Sequence, residues 1–163
     1  MTTASEFEFT TPVDEPIIQF RRFFRAPRAL VFEVWTNPEH LRKWWGPRVL
    51  ELTVCEVDLN VGGRYRYVLR TPDGQEFTQL GEYREIDPPQ RLVSTYALDV
   101  APEDQTTETV LFSAVDGGTL VTSTSVHRSI AARDRQIAGG MMEAGLADQF
   151  SRLDDLLEAL RIA

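Results

Sequence analysis

The sequence predicts an α+β fold in which one antiparallel sheet curves around a long C-terminal helix. Three patterns carry that prediction. Between residues 49 and 127, short alternating runs of apolar and polar side chains succeed one another with turn residues between them, as in an antiparallel meander. From Ile130 onward the apolar residues switch to helical spacing. Between the first strand and the meander lie two short helical segments set end to end. A sheet of this kind cannot bury its concave side alone, and the apolar stripe of the last helix is the natural cover.

Met1 to Glu15, rich in Thr and Glu, reads as a tail of low order, with Phe7 and Phe9 alternating as a short edge strand would. Pro16 to Arg25 reads as the first strand, with Ile18, Phe20 and Phe24 on one face and Gln19, Arg21 and Arg25 on the other. Pro27 suits a first helical turn, where a missing N–H costs nothing, and Leu30, Val31, Val34 and Trp35 recur along one side of the helix it starts. Asn37 then offers an N-cap oxygen, and Pro38 restarts the chain. Leu41, Trp44 and Trp45 form the apolar edge of a second helix that Gly46-Pro47 stops.

Six further strands follow, at about Val49 to Val57, Arg64 to Arg70, Phe77 to Ile86, Arg91 to Leu98, Glu108 to Val115 and Leu120 to His127, giving seven in all. Gly62-Gly63, Pro72-Asp73-Gly74, Asp87-Pro88-Pro89 and Asp116-Gly117-Gly118 supply the turn chemistry. The last segment, Ile130 to Ile162, is expected as one continuous helix. Its stripe is Ala138, Met142, Leu146, Phe150, Leu153, Leu157 and Leu160. The expected organisation is a tail over residues 1–15 and a single domain over 16–163.

Residues 24 to 47 also resemble the signature of the family of activators of heat-shock protein 90 ATPase and their homologues, a branch of the START and Bet v 1-like (SRPBCC) superfamily. The similarity continues through Val57 to Arg66, Pro72-Asp73-Gly74, Gly81 to Leu92, Gly140 to Gly145 and Ser151-Arg152-Leu153, so that it spans roughly residues 16 to 161. It implies the helix-grip fold with a cavity between sheet and C-terminal helix. Two positions depart from the family pattern. Leu146 stands where an aromatic, often Trp, is common, and Asn60 stands where Arg is usual. A smaller side chain at 146 removes a wall from any such cavity, so no relative's ligand carries over.

Composition narrows the function classes. A chain of 163 residues is long enough to bury about 70% of its unfolded surface without disulfide or metal staples. The single cysteine, Cys55, fits a reducing compartment and reads as a small strand residue between Glu51 and Glu56. With no apolar run of about 20 residues and no signal-like amino terminus, the expected location is cytoplasmic, without a membrane partner. A net charge of −8 argues against nucleic acid, and the Arg21, Arg22, Arg25 and Arg28 cluster reads as solvated.

No motif spells out a reaction. His40 and His127 lack zinc-ligand partners, Gly62-Gly63 precedes a strand rather than a helix, and no nucleophile elbow is present. Neither a metal nor a cofactor is expected. The candidates are instead residues that would line an interior space. Alternation turns Tyr65, Tyr67 and Leu69 inward, and Phe77, Tyr83, Tyr96, Phe112 and His127 are the equivalents on other strands. Met141, Met142 and Gly145 would face them from the helix, with Trp44 or Trp45 at the mouth. Packing alone explains aromatic residues at such positions. The functional reading adds that buried tyrosine hydroxyls need partners and would orient a mostly apolar ligand. Glu82 with Arg64 or Arg66 reads as a solvated cross-strand pair, and His127 as a general base lacks an evident carboxylate.

Three functions are consistent with these residues. The leading one is a binding protein for an apolar, aromatic or polyketide-like small molecule. The alternatives are a chaperone-interacting module, as the resemblance implies, and a cyclase- or hydrolase-like enzyme that works by positioning its substrate. Either a monomer or a homodimer paired through an edge strand fits the sequence.

Overall fold

Asn37 serves two helices at once. Its backbone N–H donates to the carbonyl of Glu33 and ends α1 (Arg28–Thr36), while its side-chain oxygen accepts from the N–H of Glu39 at 3.0 Å and starts α2 (Pro38–Trp44). Pro38 follows as the first residue of α2. Pro27 lies just outside α1 as its extended N-cap, one residue earlier than the first-turn place its type suggests. Gly46, at φ +84°, takes the left-handed conformation that turns the chain away after α2.

The computed structural model describes residues 7–161. Eight strands form one antiparallel sheet, one more than the sequence suggests: β1 (Phe7–Thr10), β2 (Ile17–Phe24), β3 (Glu51–Val57), β4 (Arg64–Arg70), β5 (Glu76–Asp87), β6 (Arg91–Leu98), β7 (Ala101–Val115) and β8 (Gly118–Val126). The spatial order is β1-β2-β8-β7-β6-β5-β4-β3. The additional strand is β1, where Phe9 pairs with Phe20 and Phe7 with Arg22 on β2. It lies in the segment read as a tail, whose residues 1–6 fall outside the described ones. A second correction concerns β7. It begins at Ala101 rather than Glu108, because Ala101 pairs with Leu98, and Thr106 and Thr107 with Tyr96 and Thr95, across an irregularity in the register and despite weak apolar alternation.

The C-terminal helix is broken. Ser129 caps α3 (Ile130–Ile137) by accepting from Ala132, a single tight turn spans Ala138–Gly140, and α4 (Met141–Arg161) follows. Gly139 and Gly140 sit at φ 85° and 72°, a conformation that ends an α-helix and that side-chain-bearing residues avoid. The expected end at Ile162 lies outside the described residues. No helix among them is long and apolar enough to cross a membrane.

Helix α4 crosses the concave face and is tied down at its middle. Gln149 accepts from the N–H of Gly46 at 2.8 Å, and Arg152 donates to the carbonyls of Gly46 at 2.7 Å and Lys43 at 3.1 Å, which satisfies the end of α2. Arg48 pairs with Asp148 at 2.6 Å. On the far side, α3 is held to the start of β2 by Arg133, which donates to the carbonyls of Glu15 and Ile17 at 3.1 and 2.7 Å.

Candidate functional site

The space between sheet and helices divides into two halves of different chemistry. The half beneath α1, α2 and the C-terminal part of α4 is packed solid. Phe150 is its hub, with ring centroids 5.1 Å from Phe20, 5.6 Å from Phe24 and 6.0 Å from Trp35. Trp44 is fully buried there, its indole N–H donating to the carbonyl of Val34 at 2.9 Å. Phe112 packs between Phe32 and Trp35 at 5.2 and 5.6 Å. Trp44 and Phe112, both selected from the sequence, therefore belong to a filled aromatic core.

The other half is walled by tyrosines. Tyr65 lies 5.0 Å from Tyr67 and 5.6 Å from Tyr83, and Trp45 lies 5.1 Å from Tyr67 with its ring tilted by 54°. Register puts these side chains on one face: Tyr65 opposite Gly81, Tyr67 opposite Gln79 and Tyr83 opposite Ser94. A Cβ at Gly81 would come within 2.6 Å of the Tyr65 hydroxyl, so the missing side chain is what lets that ring lie flat across β5 and donate to the carbonyl of Thr95 at 2.6 Å. Trp45 donates to Gln79 at 2.8 Å, and Gln79 in turn donates to the Tyr96 hydroxyl at 3.1 Å. Burial raises all four phenols: Tyr83 is pushed up to about 12, and Tyr65, Tyr67 and Tyr96 lie above their ordinary range. They act as neutral hydroxyls at physiological pH.

Beyond the tyrosines the concave face turns polar along β6, β7 and β8. Ser94, Glu108 and Ser125 form one cross-strand row, since Ser94 pairs with Glu108 and Glu108 with Ser125. Tyr96 pairs with Thr106, and His127 continues the inward face two residues past Ser125. The Ser125 hydroxyl donates to Glu108 at 3.2 Å, and desolvation pushes the Glu108 carboxyl above its ordinary value. His127 is buried, with Nε2 at 2.6 Å from the Gln136 oxygen of α3. His127 Nδ1 and Thr106 Oγ1 are buried without a hydrogen-bond partner.

Tyr65, Tyr67 and Tyr83 are continuous with the buried cluster that holds Trp44 and Phe112, whereas Tyr96 and His127 lie outside it, toward the polar strands. Phe77 is half-buried near the start of β5, on the same face but outside the core cluster. Met142 is half-buried, whereas Met141 is 81% exposed at the first residue of α4 and lines no interior space. Gly145 faces the chain after α2, where an added Cβ would meet Pro47 at 3.8 Å. Leu146 instead packs against the core cluster. Sequence reasoning passed over Glu108, Ser94, Ser125, Thr106 and Gln79. The signal for Glu108 was present, because it stands at period two with Val110 and Phe112.

Among the described residues no group of three or more His, Cys, Asp and Glu side chains is arranged to hold a metal ion. Two shallow surface clefts, one at Val49, Glu51 and Arg70 and one at Phe32, Leu59 and Pro89, lie apart from the tyrosine wall. Cys55 is buried, its thiol pushed up by desolvation, and has the character of a packing residue.

Residues 25–158 match the family model described as activator of Hsp90 ATPase homolog 1-like protein. Among solved structures, a protein from Rhodobacter sphaeroides is similar at 28% identity with a TM-score of 0.86, over 95% of this chain and 99% of that one. A protein from Mycobacterium smegmatis is similar at 26% identity and a TM-score of 0.82, covering 92% of this chain and 95% of its own. One from Nitrosomonas europaea stands at 25% and 0.81, covering 92% and 99%. No functionally curated protein matches the chain.

Proposed function

The chain belongs to the activator of Hsp90 ATPase homolog 1-like family, and from that premise we propose that it is a cytoplasmic small-molecule binding protein whose ligand sits between the tyrosine wall, the polar rows of β6 to β8 and the first turns of α4 around Met142 and Leu146. One observation carries this reading. Gln79, Tyr96, Glu108 and Leu146 stay only half-buried although all four are turned toward the interior or packed on its core, whereas Phe24, Trp44 and Phe112 in the other half are sealed. A stretch of interior face that keeps accessible surface, presents aromatic planes and offers a few convergent polar atoms has the make-up of a ligand site. Flat tyrosine and indole rings suit an apolar or aromatic body, and the polar rows would orient it.

Native mass spectrometry of the protein purified gently from its own host tests the proposal. A stoichiometric small molecule released on denaturation is the expected result. An empty protein that also fails to retain aromatic probes would overturn it. The family's description makes a chaperone the alternative partner, and stimulation of a cognate chaperone's ATPase by protein with no bound ligand would favour that reading instead.

A further inference from the structure

The polar end of the concave face has an excess of hydrogen-bond acceptors. Glu108 receives one hydroxyl, from Ser125 to Oε2 at 3.2 Å, and forms no ion pair with any described Arg or Lys. His127 donates through Nε2, because the Gln136 oxygen 2.6 Å away can only accept; a neutral ring then carries a bare lone pair on Nδ1, buried and unpaired. Thr106 Oγ1 is likewise buried and unpaired. These three groups are neighbours. Thr106 and Glu108 are two residues apart on one face of β7, and Glu108 pairs with Ser125, two residues before His127 on the adjoining chain. Same-strand and diagonal neighbours of this kind stand about 7–8 Å apart, a spacing from which three inward side chains converge on one small head group.

An unpaired acceptor in a buried site is costly, and a ligand that brings donors relieves the cost. Resting on the reading of this space as a ligand site, we propose that it selects molecules whose apolar or aromatic body ends in a protonated primary amine, with Glu108 as the amine's partner. An ammonium carries three N–H donors and no acceptor, matching the Glu108 carboxylate, His127 Nδ1 and Thr106 Oγ1. It also supplies the positive charge that the protein withholds from Glu108. Tyr96, opposite Thr106 and on the same face as Glu108, adds an aromatic ring beside this row. A carboxylate ligand would face Glu108 with like charge, and an alcohol brings a single donor. The net charge of −8 favours a cation on approach.

The test uses three probes with one ring system and different heads: naphthylmethylamine, naphthylmethanol and naphthoic acid, titrated into the full chain at neutral pH with binding read from probe fluorescence and ligand-observed NMR. The expected result is that the amine binds about tenfold or more tighter than the alcohol, with the acid weakest. In E108Q the amine falls to within about threefold of the alcohol, with near-UV circular dichroism reporting on the fold. Equal binding of all three heads to the unaltered protein overturns the amine selection and leaves the binding reading standing. Binding of none of them overturns both. The head-group comparison needs no variant, so it decides the proposal even if E108Q does not fold.

Discussion

Arg22 on β2 and Asp154 on α4 form a two-pronged ion pair, Nη1 to Oδ1 at 3.1 Å and Nη2 to Oδ2 at 2.6 Å, between residues 132 positions apart. Arg22 also donates to the carbonyl of Phe23 at 2.7 Å and lies 4.7 Å over the Phe24 ring, while its side chain is 4% exposed against 38% for Asp154. The fork of a guanidinium suits this geometry, and it fixes where α4 crosses the sheet. Asp154→Ala leaves a buried cation with only a carbonyl and a ring face. Because the carboxylate end is partly open to water, the expected loss is about 2 kcal/mol rather than the larger cost of a fully buried pair. Urea unfolding of the variant checks this, and Arg22→Met with Asp154→Leu is expected to recover most of the loss.

Phe150 concentrates the packing of the filled half. Its ring meets Phe7, Phe20, Phe24, Trp35 and Trp44, so it joins the edge strand, β2, both short helices and α4. Phe150→Ala removes a fully buried ring that its neighbours cannot replace by moving, and is expected to cost about 3–5 kcal/mol. Denaturant unfolding measures it. The variant should lose stability without gaining selectivity for amine probes, because none of the rings that Phe150 meets belongs to the Glu108 row.

How much of this was legible in the sequence depends on whether period or local chemistry carried the signal. The α1 and α2 boundaries were readable because Asn37-Pro38 and Gly46-Pro47 each act through their own backbone. The faces of Tyr65, Tyr67 and Leu69 followed from alternation, and all three are buried. The break between α3 and α4 was hidden because Ala138, Met142 and Leu146 keep helical spacing across it, while the paired Gly139 and Gly140 stood in plain view. Strand β1 was signalled only by the alternation of Phe7 and Phe9, and four residues carry too little pattern to be counted as an eighth strand. The polar rows were missed for a different reason. Inward Ser, Thr and Glu contradict the apolar-in rule that sequence reasoning applies, and such local conflict concentrates where a fold does something other than pack.

Gly81 and Tyr65 give a prediction about the wall itself. Any side chain at position 81 collides with the carbonyl of Thr95 and with the Tyr65 ring, so Gly81→Ala must push β5 from β6 or lift the ring from its place. The expected cost is about 1–3 kcal/mol. Tyr65→Phe, which removes only the 2.6 Å hydrogen bond to Thr95, should cost about 1 kcal/mol. Thermal unfolding ranks the two, and a Gly81→Ala loss no larger than that of Tyr65→Phe would refute the steric account.

Glu108 ties stability to pH with a definite sign. In the unfolded chain its carboxyl ionises at about 4.3, whereas in the folded protein desolvation raises it, with the Ser125 hydroxyl pulling partly the other way. Between those two values the folded state binds the more protons, so the group's contribution is fully present below the unfolded value and is lost as pH rises through the folded one. The facing phenols of Tyr65 and Tyr96 stay neutral throughout, being raised by burial. His127 is the other titratable group on this face, and it is common to both proteins in the comparison. Glu108→Gln keeps the shape and removes the ionisation, so it should unfold at a higher temperature than the unaltered chain at pH 8, with the gap closing by pH 4. For a chain of this size each kcal/mol corresponds to about 2–4 °C. A gap that is constant with pH would mean that Glu108 is solvated in the folded state. A gap that widens with pH, together with loss of the amine preference in the same variant, identifies a residue that costs the fold stability and is accounted for by the ligand it holds.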